Sequence, residues 1–139
     1  KSNSSRDHLI YHLSKWIKDQ KVEIRSKVQN KGGTMRLGAY PAKIKKGTMA
    51  YSIYKKAIVS ERHRHRFEVN VNYQEALEKN GLTFSGFSQD GLLPEVVELS
   101  SHPFFLGVQF HPELKSKPFE PHPIFSNFIK KALEQTRLV

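Results

Sequence analysis

The chain carries the stretch FFLGVQFHPE at residues 104–113, in which an apolar run ends in a histidine and a glutamate. The pattern predicts a strand over 104–110, followed at once by His111 and Glu113. Residues two apart in extended backbone project to the same side, and Pro112 restricts the backbone between them. The arrangement is typical of a base and the carboxylate that orients it. A surface loop that holds both residues by chance is the alternative interpretation.

Periodic patterns on both sides of this stretch predict an α/β layer architecture, with helices at both ends and strands between them. Helices are predicted at 6–18, 47–56, 73–80 and 123–138, the last of them amphipathic. Strands are predicted at 22–27, 34–44, 57–60, 82–88 and 95–99, the last two as a hairpin. Gly81 is expected to follow a helix end, and Pro41 to interrupt its strand. A strand over 9–13 is the alternative to the first helix.

Composition restricts the class of protein. The 139 residues are 37% hydrophobic and 26% charged, which suits one globular domain with a modest core. No apolar run approaches the roughly 20 residues that cross a bilayer, and the polar start at residues 1–7 predicts no signal peptide. A first residue other than Met predicts a processed or truncated chain. The chain has no cysteine, so it carries no disulfide and no thiol chemistry of its own.

A second segment, ERHRHRFEVN at residues 61–70, alternates arginines with histidines. In extended backbone the arginines share one face, where their guanidinium groups could bind a carboxylate or a phosphate: Arg62, Arg64 and Arg66. His63 and His65 face the other way, and no further ligands complete a metal site with them. A solvated basic loop and an RNA-binding stripe are the alternatives, since the net charge of +10 attracts polyanions.

A third segment, GGTMRLG at residues 32–38, has a glycine pair that lets backbone N–H groups approach an anion. No Lys-Ser or Lys-Thr follows the glycines, so the segment is not a P-loop. The alternative is a tight turn that enters a strand, with Arg36 in an ion pair.

Together these three segments resemble the CTP synthase family, in order and at about the right separations, over residues 22–135. His-Pro-Glu alone indicates the wider class I glutamine amidotransferases, which implies a flavodoxin-like layered fold with a mixed sheet flanked by helices. The resemblance implies a Cys-His-Glu triad that hydrolyses glutamine to glutamate and ammonia. It implies that His111 is the general base, that Glu113 orients it, and that Arg66 contacts the substrate glutamine.

The resemblance also implies partners for the full enzyme. Ammonia passes through a tunnel to an N-terminal amidoligase domain, which aminates UTP to CTP with ATP and Mg²⁺, and GTP activates glutamine hydrolysis. A homotetramer in the cytoplasm is expected, without membrane or nucleic-acid partners. No cofactor or metal site is expected within this segment.

Residues 1–139 depart from the family pattern in two places. The cysteine nucleophile and its strand-turn-helix elbow are absent, so we expect a partial amidotransferase domain that is inactive alone and lacks the amidoligase domain. Asn3-Ser4-Ser5 resembles the start of a glutamine-binding segment, but Arg6 stands where the family has Glu. Either residues are missing there or that site is lost. The alternatives are another amidotransferase such as GMP synthase, a degenerate regulator, and a non-catalytic basic module that binds nucleotides or RNA.

Overall fold

The structure, a computed structural model, describes residues 9–12, 15–18, 21–24 and 35–137. Its strands are β1 Ile10–His12, β2 Lys15–Lys18, β3 Lys21–Ile24, β4 Arg36–Ile44, β5 Ile58–His65, β6 Phe67–Val69, β7 Leu82–Ser88, β8 Pro94–Leu99 and β9 Leu106–Val108. Its α-helices are α1 Met49–Tyr54, α2 Gln74–Lys79 and α3 Pro123–Thr136. Two short 3-10 turns span Val71–Tyr73 and Pro112–Leu114.

Five strands form one sheet in the order β5-β4-β7-β8-β9, with helices packed beside it. The predicted α/β class and the hairpin of β7 and β8 agree with this arrangement. The sheet differs from the predicted mixed sheet, because every pairing among the described strands is antiparallel. Short connections such as the one between β7 and β8 join antiparallel neighbours, whereas parallel strands need long crossovers.

Strands β4 and β5 form the longest pairing, from Arg36 opposite His65 to Lys43 opposite Ile58. Along both strands, buried and exposed residues alternate, as expected when one face of a sheet is covered. The predicted interruption at Pro41 is wrong, since β4 continues through it and Pro41 pairs with Ser60. Strand β7 joins β4 only from Ala42 onward, so β4 has a strand on one side alone at the proline.

The hydrophobic core lies between one face of the sheet and the helices α1 and α3. It comprises Ala42, Ile44, Ala50, Ile53, Val59, Val96, Phe110 and Ile124. Phe110 directly precedes His111, so the core fixes the backbone on which the candidate base is mounted.

The predicted helix at 6–18 is wrong in the part that the structure describes. Strand β1 pairs with β6, with Ile10 opposite Val69, and β2 pairs with β3. Short apolar runs fit helix and strand periods alike, and here cross-strand pairing decides the outcome. Strand β3 confirms the start of the strand predicted at 22–27, and residues 25–27 lie outside the described ranges.

The later helices follow their local signals. Helix α2 ends before Gly81, whose φ of 93° is the left-handed conformation expected at a helix end. Helix α3 confirms the helix that was predicted at 123–138. Of its apolar face, only Ile124 is buried among the described residues. Phe128 and Ile129 on that face are more than half exposed. In the described part of the chain, no helix is both long and apolar enough to cross a membrane.

Candidate active site

His111 and Glu113 lie together just beyond strand β9. His111 has extended backbone, with φ −112° and ψ 91°, and Pro112 begins the 3-10 turn that contains Glu113. His111 Nδ1 lies 2.6 Å from Glu113 Oε1, a hydrogen bond in which the ring donates and the carboxylate accepts. The structure therefore brings together the two residues that the sequence pattern paired.

This hydrogen bond determines which atom of His111 is available for chemistry. With its proton held at Nδ1, the neutral ring presents Nε2 as its basic nitrogen. The bond to His111 is the main cause that lowers the pKa of Glu113 below its usual range, and the charge of Arg64 adds to it. The two side chains are 36% and 57% exposed, so the pair faces an open surface rather than the core.

Strand β5 holds the turn that carries the pair. The backbone N–H of His111 donates to the carbonyl of Arg62 over 2.8 Å. Beyond the turn, Lys115 Nζ donates to the carbonyl of Ser60 over 2.6 Å. The turn is thus attached at both ends, which gives the His111 ring a defined position on the sheet.

The basic segment is a strand where the sequence analysis allowed a loop. Strand β5 extends beyond the predicted range of 57–60 because β4 supplies partners as far as His65. The predicted alternation is confirmed for residues 62–64, since Arg62 and Arg64 are exposed whereas His63 is buried, but the predicted row of three arginines is wrong at its third member. Arg66 lies in the bend between β5 and β6 and is partly buried.

Behind the strand lies a buried polar cluster that the sequence analysis found only in part. Arg36 makes the predicted ion pair, with its guanidinium hydrogen-bonded to Glu95 and 3.6 Å from Glu68 Oε1. His63 Nε2 lies 3.5 Å from Glu95 Oε2, and His63 Nδ1 lies 2.7 Å from His65 Nε2. The sequence signal for part of this cluster was the alternation at residues 61–68, which placed His63 and His65 on the face opposite the arginines but did not show that this face is buried.

Burial controls protonation in this cluster. It lowers the pKa of His63 to about 2, with help from the positive charge of Arg36, so the ring is neutral at physiological pH. Burial also raises the pKa of Glu95 to about 7 against the opposing pull of Arg36. The His63 ring packs edge-on against Phe110, with centroids 6.0 Å apart, and so supports the residue before His111.

Several sequence predictions fall outside the described residues. These are the glycine pair Gly32-Gly33, the Asn3–Ser5 segment, and Arg6. Among the residues that are described, no group of three or more His, Asp or Glu side chains is arranged to hold a metal ion.

Comparison with known proteins gives a consistent result. The sequence model of the family Glutamine amidotransferase class-I matches residues 12–131. A CTP synthase of Zymomonas mobilis subsp. mobilis is 57% identical over 135 residues, which is 97% of this chain and 25% of that protein. A CTP synthase of Maricaulis maris is 59% identical over 133 residues, which is 96% of this chain and 24% of that protein.

A solved structure agrees with these relatives. The glutaminase domain of Trypanosoma brucei CTPS with bound acivicin has 43% sequence identity and a TM-score of 0.69. The match covers 76% of this chain and 43% of the solved chain. The chain spans about a quarter of the length of the curated relatives it matches.

Proposed function

Since this chain belongs to the class-I glutamine amidotransferase family, we propose that it is the glutamine-hydrolysing portion of a CTP synthase. The observation that carries the proposal is the 2.6 Å hydrogen bond from His111 Nδ1 to Glu113, which leaves Nε2 free to accept a proton. The CTP synthase relatives, more than half identical over nearly the whole chain, support the choice within the family.

The nucleophile comes from another segment of the complete protein, because this chain has no cysteine. His111 Nε2 takes the proton of that thiol, and the thiolate attacks the amide carbon of glutamine. His111 returns the proton to the departing nitrogen, so that ammonia leaves and a thioester remains. Water then attacks the thioester, His111 removes its proton, and glutamate and the thiol are released. Glu113 holds the ring and stabilises its protonated form in each step.

The complete protein would use this ammonia elsewhere. An N-terminal amidoligase domain would aminate UTP, with ATP and Mg²⁺ at that domain and GTP as the activator. We place the enzyme in the cytoplasm as a homotetramer. These features rest on the resemblance to CTP synthases, and residues 1–139 contribute only part of the glutaminase domain.

The test measures ammonia release from glutamine by the complete protein and, separately, by the 139-residue chain. We expect release only from the complete protein, together with conversion of UTP to CTP when glutamine or ammonia is supplied. Release by neither protein would point to a degenerate regulator. Amination of a different acceptor would assign the chain to another amidotransferase.

Replacing Arg66 with methionine in the complete protein is expected to raise the KM for glutamine by about 10- to 100-fold with little change in kcat. The guanidinium is proposed to hold the α-carboxylate of glutamine, and a hydrogen bond to a charged group contributes about 1.5–3 kcal/mol. This contact is the same before and during the reaction, so its loss affects binding alone. Steady-state kinetics of ammonia release measure the effect, with Arg137→Met at the exposed end of α3 as the control. A fall in kcat at unchanged KM would contradict the assigned role.

A further inference from the structure

Glu61 lies beneath the turn that carries the reactive pair and is 1% exposed. Its carboxylate is contacted from three separate parts of the chain. Tyr54 at the end of α1 donates its hydroxyl to Oε1 over 3.1 Å, and His122 Nε2 donates to the same atom over 3.0 Å. Lys115 Nζ, just past the turn, lies 3.3 Å from it. One buried carboxylate therefore joins α1, the turn and the start of α3 to strand β5.

His122 is oriented by two bonds that require one tautomer. Its Nδ1 accepts the backbone N–H of Ile124 over 3.3 Å and so caps helix α3. The other nitrogen, Nε2, must then carry the proton that is donated to Glu61. The position of the α3 start is thus tied to the same carboxylate as Lys115.

Glu61 acts as a charged group in this position. Burial alone would raise its pKa, but the hydrogen bond and electrostatic attraction of the His122 N–H, together with the positive charge of Lys115, outweigh burial and lower it. Burial, together with the same carboxylate, raises the pKa of the Tyr54 hydroxyl, which therefore stays protonated as a donor. The group at the centre of the network is a carboxylate at neutral pH, which strengthens each hydrogen bond that it accepts.

Three successive residues of β5 hold the turn by different means. The carbonyl of Ser60 accepts from Lys115 Nζ, the side chain of Glu61 pairs with the same ammonium, and the carbonyl of Arg62 accepts from the backbone of His111. On the β5 side only the middle contact uses a side chain, so Glu61 is the residue of β5 whose contact with the turn can be removed by substitution.

We propose that Glu61 is a positioning residue for glutamine hydrolysis, which through Lys115 and His122 keeps the 111–115 turn, and hence His111, in its reactive place. The inference rests on the proposed function of this chain. Glu61 touches neither His111 nor Glu113 through any contact described, so it acts through the turn.

The experiment uses the complete enzyme with Glu61→Ala and Glu61→Gln. We expect Glu61→Ala to lower kcat for glutamine hydrolysis by about 100-fold, because a displacement of about 1 Å has effects of that size. The KM for glutamine and the ammonia-dependent synthesis of CTP should stay within about twofold, because the binding residues and the synthetic domain are untouched. Glu61→Gln keeps the accepting oxygen without its charge, so it should recover most of the loss and remain about 10-fold below the parent.

Two further variants test the route from Glu61 to the turn. Lys115→Met should lower kcat in the same direction, and adding it to Glu61→Ala should cause little further loss, since the two share one path. Glu75→Ala, an exposed carboxylate on α2, should have parental kinetics. A local measurement that needs no activity is the rate of tryptic cleavage after Lys115, which should rise about 10-fold in Glu61→Ala as the turn opens.

The outcomes separate the two hypotheses. Parental kcat in Glu61→Ala, unchanged cleavage after Lys115, or an equal fall in ammonia-dependent synthesis would each overturn the role of Glu61. If the parent and Glu75→Ala release no ammonia from glutamine at all, the proposed function of the chain is overturned instead. In that case faster cleavage in Glu61→Ala would support only the attachment of the turn.

Discussion

Replacing His111 with alanine in the complete protein is expected to abolish glutamine-dependent synthesis of CTP while sparing synthesis from free ammonia. The imidazole takes the thiol proton, returns it to the leaving nitrogen and activates water, so each covalent step loses its proton carrier. Loss of a triad member of this kind lowers kcat on the order of 10⁴-fold or more. Parallel assays with glutamine and with ammonium salt measure the difference.

Two companion variants sharpen this result. Glu113→Gln leaves the ring in place but removes the carboxylate that stabilises its protonated form, so we expect a smaller loss, of at least about 100-fold. His102→Ala removes an exposed histidine whose Nδ1 accepts a local backbone N–H from Phe104, and it should behave as the parent. Equal loss of the glutamine and ammonia reactions in His111→Ala would contradict the role of His111 and indicate damage to the whole enzyme.

Replacing Arg36 with methionine should produce the largest loss of stability in this segment, about 3–5 kcal/mol. Arg36 is 3% exposed, hydrogen-bonds Glu95 and lies 3.6 Å from Glu68 Oε1. Its removal leaves two buried carboxyl groups without their shared cation. Hydrogen exchange of peptides from β4 and β8, followed by mass spectrometry, measures the local free energy of opening in the intact enzyme. The expected loss corresponds to exchange faster by on the order of 10²- to 10⁴-fold.

The loss caused by Arg36→Met should depend on pH. Burial already raises the pKa of Glu95 to about 7 in the folded protein, and Arg36 is the cation that opposes this rise. A carboxyl group whose folded pKa exceeds its unfolded value of about 4.3 destabilises the fold increasingly as pH rises between the two values. The Arg36→Met variant should therefore approach the parent near pH 5 and differ most above pH 7, after correction for the intrinsic pH dependence of exchange.

Matched variants identify the cause of this loss. Lys43→Met removes an exposed positive charge from the same strand and should leave exchange unchanged. Adding Glu95→Gln to Arg36→Met removes one unpaired carboxyl group and should recover part of the stability. A similar loss in Lys43→Met, or no recovery in the double variant, would show that the buried ion pair is not responsible.

Local patterns in the sequence were sufficient to predict the His111–Glu113 pair and several helices and strands. His111 and Glu113 are two residues apart with a proline between them, so their contact depends little on the rest of the fold. Helix α2 with Gly81 at its end, and the hairpin of β7 and β8, depend likewise on neighbours in sequence. These features follow from short-range geometry, which a single sequence expresses directly.

Features that depend on distant partners were missed or wrong, and for the ion pair predicted at Arg36 the sequence did not identify the partner. The hydrogen bond between Arg36 and Glu95 joins residues 59 positions apart, and that between Glu61 and His122 joins residues 61 apart. In the sequence these charges are indistinguishable from the solvated face of a strand, because only the packed fold shows that they are buried. The strand at residues 10–12 also depends on a distant partner. It pairs with β6, and the local pattern, which fitted a helix as well, does not show this pairing.

The attachment of the 111–115 turn has a second consequence. Strand β5 ends the sheet, and an open strand edge is a template for pairing with another chain and for aggregation. On this edge the carbonyls of Ser60 and Arg62 are occupied by Lys115 and by the backbone of His111. The turn that carries the reactive histidine therefore also covers the β5 edge of the sheet. Displacing the turn would expose two carbonyl acceptors at once, so a variant that loses glutamine hydrolysis in this way should also aggregate more readily.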